Sequence, residues 1–254
     1  MTNTVALNVV DWHAWAPGLN TTDAWAAWLK VATPGQVPPI AVDTASEPDV
    51  SAIPAMLRRR LSPLYRAALA VAYALGDKHG PMPTIFCSRH GDNHKTVELL
   101  KALAEQMPLS PTGFSLSVHN AAVGQYTIAR QEALPSNAIA AGESGLEHAC
   151  IEAAGFLAEG RYPQVLVLMY DDILPEVYRN IPDSVACRYA LGLVLSAAPS
   201  AVRLELQLTT AASLSHTAIP EPSAFSLLRL LTGNATQVDW QDREHHWHWQ
   251  YANA

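Results

Sequence analysis

Charge is scarce in this sequence. Only 15% of its 254 residues are Asp, Glu, Lys or Arg, against roughly 25% in ordinary soluble domains. The shortage is greater on the basic side, where 16 Lys and Arg face 23 Asp and Glu for a net charge of −7. Such a balance leaves no electrostatic footprint for phosphate backbones or anionic headgroups, which argues against nucleic acid and membrane surfaces as partners. Long apolar runs are missing too. No uncharged apolar run reaches the ~20 residues of a membrane span, and the start, MTNTVALNVVDW, lacks the basic segment and apolar run of a secretory leader, so a cytoplasmic protein is expected. Cysteine is sparse and odd in number: Cys87, Cys150 and Cys187, with no CxxC spacing. That pattern suggests neither a disulfide framework nor a zinc site; all three are expected as buried thiols, and no metal or cofactor is called for.

What is present is apolar bulk, 49% of the residues. A chain of this size buries about three quarters of its unfolded surface and folds without covalent help. With so few charges to solvate the exterior, part of the surface is expected to lie against another subunit, because obligate interfaces resemble a core cut in half.

The pattern along the chain is that of an α/β protein. TVALNVV (4–10) is apolar and β-branched; Asp23, after Thr21 and Thr22, starts a helix with Trp25 and Trp28 on one face. A Pro-rich connection spans 34–48. LSPLYRAALAVAYALG reads as an alanine-rich packing helix stopped by Gly76, TIFCS (84–88) as a strand, and the next helix, capped by Asp92 or Asn93, places Val97, Leu100, Leu103 and Ala104 on a buried stripe. A helix from Ser117 to Arg130, a strand at 137–141, a helix from Ser144 to Glu159 stopped by Gly160, and the strand QVLVLMY continue the alternation. The order βαβαβ predicts a mostly parallel sheet covered by helices, with an antiparallel end where 189–197 and 202–208 form a hairpin about Ala198, Pro199 and Ser200. A last helix, AFSLLRLL, stops at Gly233, and one domain over 1–254 is the simplest division.

Several linked segments carry a resemblance. Ser110, Pro111 and Phe114 lead into a helix bearing Asn120 and Gly124; Pro135 and Ser136 introduce a strand; the next helix runs to Gly160 and an apolar strand; and RRRLSPLYRAALAVAYAL lies upstream. Over 58–208 this order resembles the N-terminal half of a β-ketoacyl synthase of the thiolase fold, with 209–254 a divergent tail. The resemblance implies a thiolase-like half-fold. In that family a cysteine occupies the sharp turn from strand to helix, where the helix N-terminus favours its thiolate. Here the segment reads AIAAGESGLEHA. Counting from Asn120 and Gly124, or back from Gly160, puts Glu143 at the cysteine position; anchoring on Ser144 and Gly145 puts Gly142 there. Neither holds a thioester. The resemblance places the family's histidines in a second half that is expected to be missing or drastically reduced here, since only His216, His245, His246 and His248 follow Leu208.

The resemblance therefore narrows to a chain length factor, a ketosynthase relative without the nucleophile that pairs with an active β-ketoacyl synthase and meets acyl carrier protein only indirectly. Short subunits of this kind are associated with aryl polyene pathways. By the same resemblance, Asn137, Ala138, Ile139, Ala140 and Ala141 form the strand that pairs across the dimer, Asn120 to Arg130 reach toward the partner's channel, and Gln125, Tyr126 and Ala129 set its depth.

Competing sites exist. Ser144 at a strand-to-helix turn, with His148 four residues on, suggests a hydrolase elbow, but GxSxG would require glycine at Leu146, and Ser144 also reads as an N-cap. An acyl-thioester-processing enzyme using Ser144 or Cys150 is the alternative function. His246 and His248 share one face of a terminal strand and could bind zinc with Asp239 or Asp242; tryptophans anchoring a strand whose histidines face water is the plainer reading. Asp171 and Asp172 at a strand exit, His119, and the run Arg58, Arg59 and Arg60, which would suit an acidic carrier protein or plain solvation, complete the candidates.

Overall fold

The computed structural model describes residues 3–33, 47–181, 183, 185, 187–210, 221–242 and 245–252. Most of the Pro-rich connection and His216 lie outside them. The described elements run β1 (Asn3–Trp15), α1 (Thr22–Val31), a short α2 (Ala55–Arg58), α3 (Pro63–His79), β2 (Thr84–Cys87), α4 (Asn93–Ala104), α5 (Pro111–Ser115) and α6 (Ala121–Arg130). They continue with β3 (Ser136–Ile139), α7 (Gly145–Ala158), β4 (Gln164–Asp171), β5 (Tyr189–Ser196), β6 (Val202–Thr210), α8 (Ser223–Leu231), β7 (Gln237–Gln241) and β8 (His245–Tyr251).

All eight strands join one sheet in the order β3-β2-β4-β5-β1-β6-β8-β7. Its proportions correct the expectation of a mostly parallel sheet. Only β2–β3 and β2–β4 are parallel; the other five pairings are antiparallel. The expected hairpin is also overturned. β5 and β6 do not pair with each other, because β1 lies between them, meeting β5 along Asn8–Trp15 and β6 along Asn3–Val9. The register shifts between Val9 and Asp11, a bulge at the place where β1 changes partners. The 13-residue β1 can serve both strands because its apolar residues Leu7 and Val9 alternate onto one buried face.

Helices cover both faces of the parallel end. On one side α3 and α6 pack through Ala67, Ala68, Ala72, Tyr73 and Tyr126 against Phe86, Leu166, Leu168 and Val194. On the other, α1, α7 and α8 enclose Trp25, Leu146, Cys150, Phe225 and Leu228 together with Trp247 and Trp249 of β8. The alternation expected of HHWHWQY is observed, with both tryptophans buried and His246 and His248 on the opposite face. α3 runs past Gly76 to His79, and Gly80, at φ +81°, ends it. The helix expected from Ser117 starts only at Ala121, after turns over 117–120, and runs to Arg130 as expected. Asp92 caps α4 as expected, accepting from the Lys95 N–H at 2.9 Å. The α4 stripe is another correction: Val97 is buried, but Leu100 and Leu103 are 53% and 60% exposed.

Candidate functional site

The chain turns sharply from β3 into α7. Ala140 and Ala141 lead to Gly142 at φ +59°, a single 3-10 turn covers Gly142–Ser144, and α7 begins at Gly145. Left-handed backbone at the apex suits glycine, and a Cβ built there would meet nothing within 4 Å, so the apex opens onto free space. Glycine at 145 has a different cause. A Cβ there would sit 2.6 Å from the Cys87 sulfur, so α7 can start against the end of β2 only without a side chain.

Four elements wall the cleft in front of the apex, of about 360 Å³: Arg89 from the β2–α4 loop, Ala141, Gly142 and Glu143 from the turn, His148 from α7, and Asp242 and His245 from the β7–β8 turn. The Glu143 side chain is tied back, its Oε1 accepting from Arg89 Nη2 at 2.9 Å. Arg89 Nη1 donates to Asp183 Oδ1 at 3.1 Å, and His90 Nε2 lies 3.1 Å from Asp183 Oδ2. Burial opposes ionisation of Asp183, yet the His90, Val185 N–H and Arg89 contacts together hold its carboxyl below the ordinary value.

Asp171, at the end of β4, organises the loop that carries Arg89. Its carboxylate accepts from the Ser88 hydroxyl at 2.8 Å and from the Arg89 N–H at 3.1 Å; the Gly91 N–H donates to Ser88 Oγ at 2.8 Å. Burial pushes the Asp171 pKa up to about 6 despite these donors. His119 is half-buried, its Nε2 at 2.9 Å from the Ser88 carbonyl oxygen, and Asp172 accepts from Arg188 at 2.8 Å.

The hydrolase arrangement does not form. Ser144 is buried, donates to the Asp242 carboxylate and accepts from the Trp247 indole N–H at 2.9 Å, while His148 Nδ1 lies 2.9 Å from the Ser144 backbone carbonyl rather than from the hydroxyl. The serine side chain does not cap α7 either. All three cysteines are buried, and burial raises each thiol far from the thiolate range. Among the described residues no cluster of His, Cys, Asp and Glu suits a metal ion; His246 and His248 both lean on Asp239, at 3.3 and 2.9 Å.

β3 is the edge of the sheet, and among the described residues it pairs only with β2. Asn137, Ala138, Ile139 and Ala141 are half-buried and Ala140 is exposed. Ile128 of α6 and Ile151 of α7, on the helices flanking this edge, are 75% and 37% exposed. Asn120 precedes α6 without a side-chain cap bond, and Gln125 and Ala129 are half-buried on that helix. Tyr126 departs from the expected channel wall. It sits in the chain's own core, with ring centroids 5.6 Å from both Tyr73 and Phe86, because Ala122, Val123 and Tyr126 share the face turned to the sheet. A second cleft of about 420 Å³ lies at the starts of α3 and α4, lined by Arg60, Tyr65, Lys95 and Arg188 among others. Arg58 is half-buried and Arg59 and Arg60 are exposed; among the described residues none of the three forms an ion pair.

The sequence singled out the turn and His148. It missed Arg89, Asp183 and Glu147. The last is fully buried on α7, accepts from the Trp249 indole at 3.2 Å, and is pushed up to about 7 by burial. No spacing signal marks these residues, because their partners come from distant loops and strands.

Residues 25–250 match the family model described as beta-ketoacyl synthase, N-terminal domain. No curated relative matches the chain. Among solved structures, a chain of the ketosynthase ApeO in complex with its chain length factor ApeC, from Xenorhabdus doucetiae, is similar over 97% of this chain and 99% of that one, with 26% identity and a TM-score of 0.80. The ishigamide ketosynthase/chain length factor is similar over 82% of this chain and 67% of its own, at 15% identity and a TM-score of 0.61. A type II polyketide synthase ketosynthase, solved with its acyl-carrier protein as AntDE:AntF, covers 75% and 63%, at 15% identity and a TM-score of 0.59.

Proposed function

The chain belongs to the family of the β-ketoacyl synthase N-terminal domain and has the thiolase-like fold, and on that premise we propose that it is a non-catalytic chain length factor. In this reading it forms a cytoplasmic heterodimer with an active β-ketoacyl synthase and shapes the channel into which the partner extends an acyl chain. Its contact with acyl carrier protein is through that partner. The observation that carries the reading is the turn at Gly142. A strand-to-helix elbow of the kind that presents a nucleophile is kept, with a positive-φ apex and open space before it, but no thiol or hydroxyl stands there. This geometry favours Gly142 over Glu143 as the vacated position, since Glu143 is drawn aside by Arg89.

The edge strand β3 supports an interface at Asn137 to Ala141, because an unpaired strand edge invites another chain. The similarity to a chain of matching length in a ketosynthase–chain length factor complex supports the partner and points to an aryl polyene-type pathway. The alternative, an acyl-processing enzyme using Ser144 or Cys150, draws no support from side chains this buried. Co-expression with the ketosynthase of the same locus is the test: one stoichiometric complex is expected on gel filtration at micromolar concentration, and separate elution of the two proteins would defeat the proposal.

A further inference from the structure

We propose that Arg89, clamped between Glu143 and Asp183, is a charged stop that fixes where an apolar acyl chain ends in the cleft at Gly142. The inference rests on the chain length factor reading and assigns a specificity-determining group within it.

The bridge joins three segments distant in sequence: the loop after β2, the elbow, and the stretch after β4. Its side chains are sheltered, at 18% exposure for Arg89, 28% for Glu143 and 8% for Asp183. It is also held from behind. The Arg89 backbone N–H is fixed on the buried Asp171 carboxylate, at 3.1 and 3.3 Å from its two oxygens, so the guanidinium stands on a braced loop and not on a freely rotating surface side chain. The two wall types of the cleft differ in what they accept. Ala141 and Gly142, just after the edge strand, offer small walls and free space, which suit a hydrocarbon chain. Arg89 and Glu143 present a satisfied ion pair. A chain advancing past them would strip solvent from two charges and return no hydrogen bond, which opposes its advance.

Arg89, the permanent cation among the lining residues, is already paired with Glu143 and Asp183, and His148, Asp242 and His245 complete the polar wall, so the bridge offers a carboxylate or phosphate no open partner and the chain it stops is taken to be uncharged.

The experiment uses the complex with the partner ketosynthase and reads carrier-bound product lengths by mass spectrometry. The double variant Arg89→Met/Glu143→Met replaces the bridge with apolar side chains of similar reach, and Arg89→Lys keeps the charge. Products longer by at least one two-carbon unit are expected from the double variant and wild-type lengths from Arg89→Lys; unchanged lengths from an intact double-variant complex would overturn the proposal. A second arm uses the isolated chain and the fluorescence of methyl cis-parinarate, an uncharged polyene. At least tenfold tighter binding by the double variant than by wild type is expected, and equal affinity would overturn the stop. If the wild-type chain forms no complex with a ketosynthase, the chain length factor reading is lost while this second arm still decides whether the bridge excludes an apolar chain.

Discussion

Glu147 is the residue whose environment departs furthest from its chemistry. It is fully enclosed between α7 and Trp249, and burial raises its pKa from the ordinary 4.5 to about 7. A carboxyl whose folded-state value is raised stabilises the fold fully below its unfolded value, and loses that contribution as pH climbs through the folded value. The wild-type chain should therefore lose stability between about pH 5 and pH 8, by on the order of 3 kcal/mol from this residue. Asp171, pushed up to about 6, acts in the same direction over the lower part of that range. Glu147→Gln is expected to raise the melting temperature by several degrees at pH 8 and to change it little at pH 5. Thermal melts of both proteins at the two pH values check this, and an equal shift at both would show that the carboxyl titrates normally.

At the scale of single elements, α6 separates two jobs by helical period. Ala122, Val123 and Tyr126, with half-buried Ala129 packed beside them, hold it to the sheet, while Ile128 is exposed on the other side. Enlarging Ala129, half-buried against the cluster that holds Tyr126, to Leu should shorten the products of the complex and cost about 1–3 kcal/mol of stability through overpacking. Product profiling beside a melt separates the two effects, and unchanged lengths would remove Ala129 from the depth-setting group. The same helix shows what the sequence could convey. Local periodicity located α1, α7, α8, β2, β4 and β8 closely, because each buries a face that its own pattern declares. It misjudged β5 and β6, whose short connection imitates a hairpin although β1, from the other end of the chain, takes both hydrogen-bonding edges. It misjudged α4 for the converse reason, an apolar stripe that nothing in the described chain covers. The strand-to-helix turn at Gly142 and Glu143 was legible. Arg89 and Asp183 were not, since only the folded sheet brings their loops together.

Over the whole molecule, scarce charge and exposed apolar side chains fall into place together. A chain with 15% charged residues leaves Ile128 and Ile151 in solvent on the helices beside β3, the edge strand of the sheet among the described residues. An open strand edge flanked by exposed isoleucines suits an obligate interface better than a monomer's surface. Ile128→Lys combined with Ile151→Lys should weaken assembly with the ketosynthase at least tenfold and leave the isolated chain's melting temperature within a degree or two, since neither side chain supports the core. Analytical ultracentrifugation across a concentration series measures the first and calorimetry the second; undiminished assembly would move the interface elsewhere.

The central place of β1 also sets a timetable. The Asn8 side-chain amide bonds to the carbonyl of Ser196, 188 residues later, and at ~5–20 residues per second that partner leaves the ribosome roughly 10 to 40 s after Asn8 does. Throughout that interval the first strand to be made has neither neighbour, and its Leu7 and Val9 face has no core to enter. The sheet cannot close from its start outward; it closes when the late strands arrive on both sides of the earliest one. Slow, late folding of this kind belongs to chains rich in distant contacts, and it leaves the apolar face of β1 open to aggregation until β5 and β6 are made.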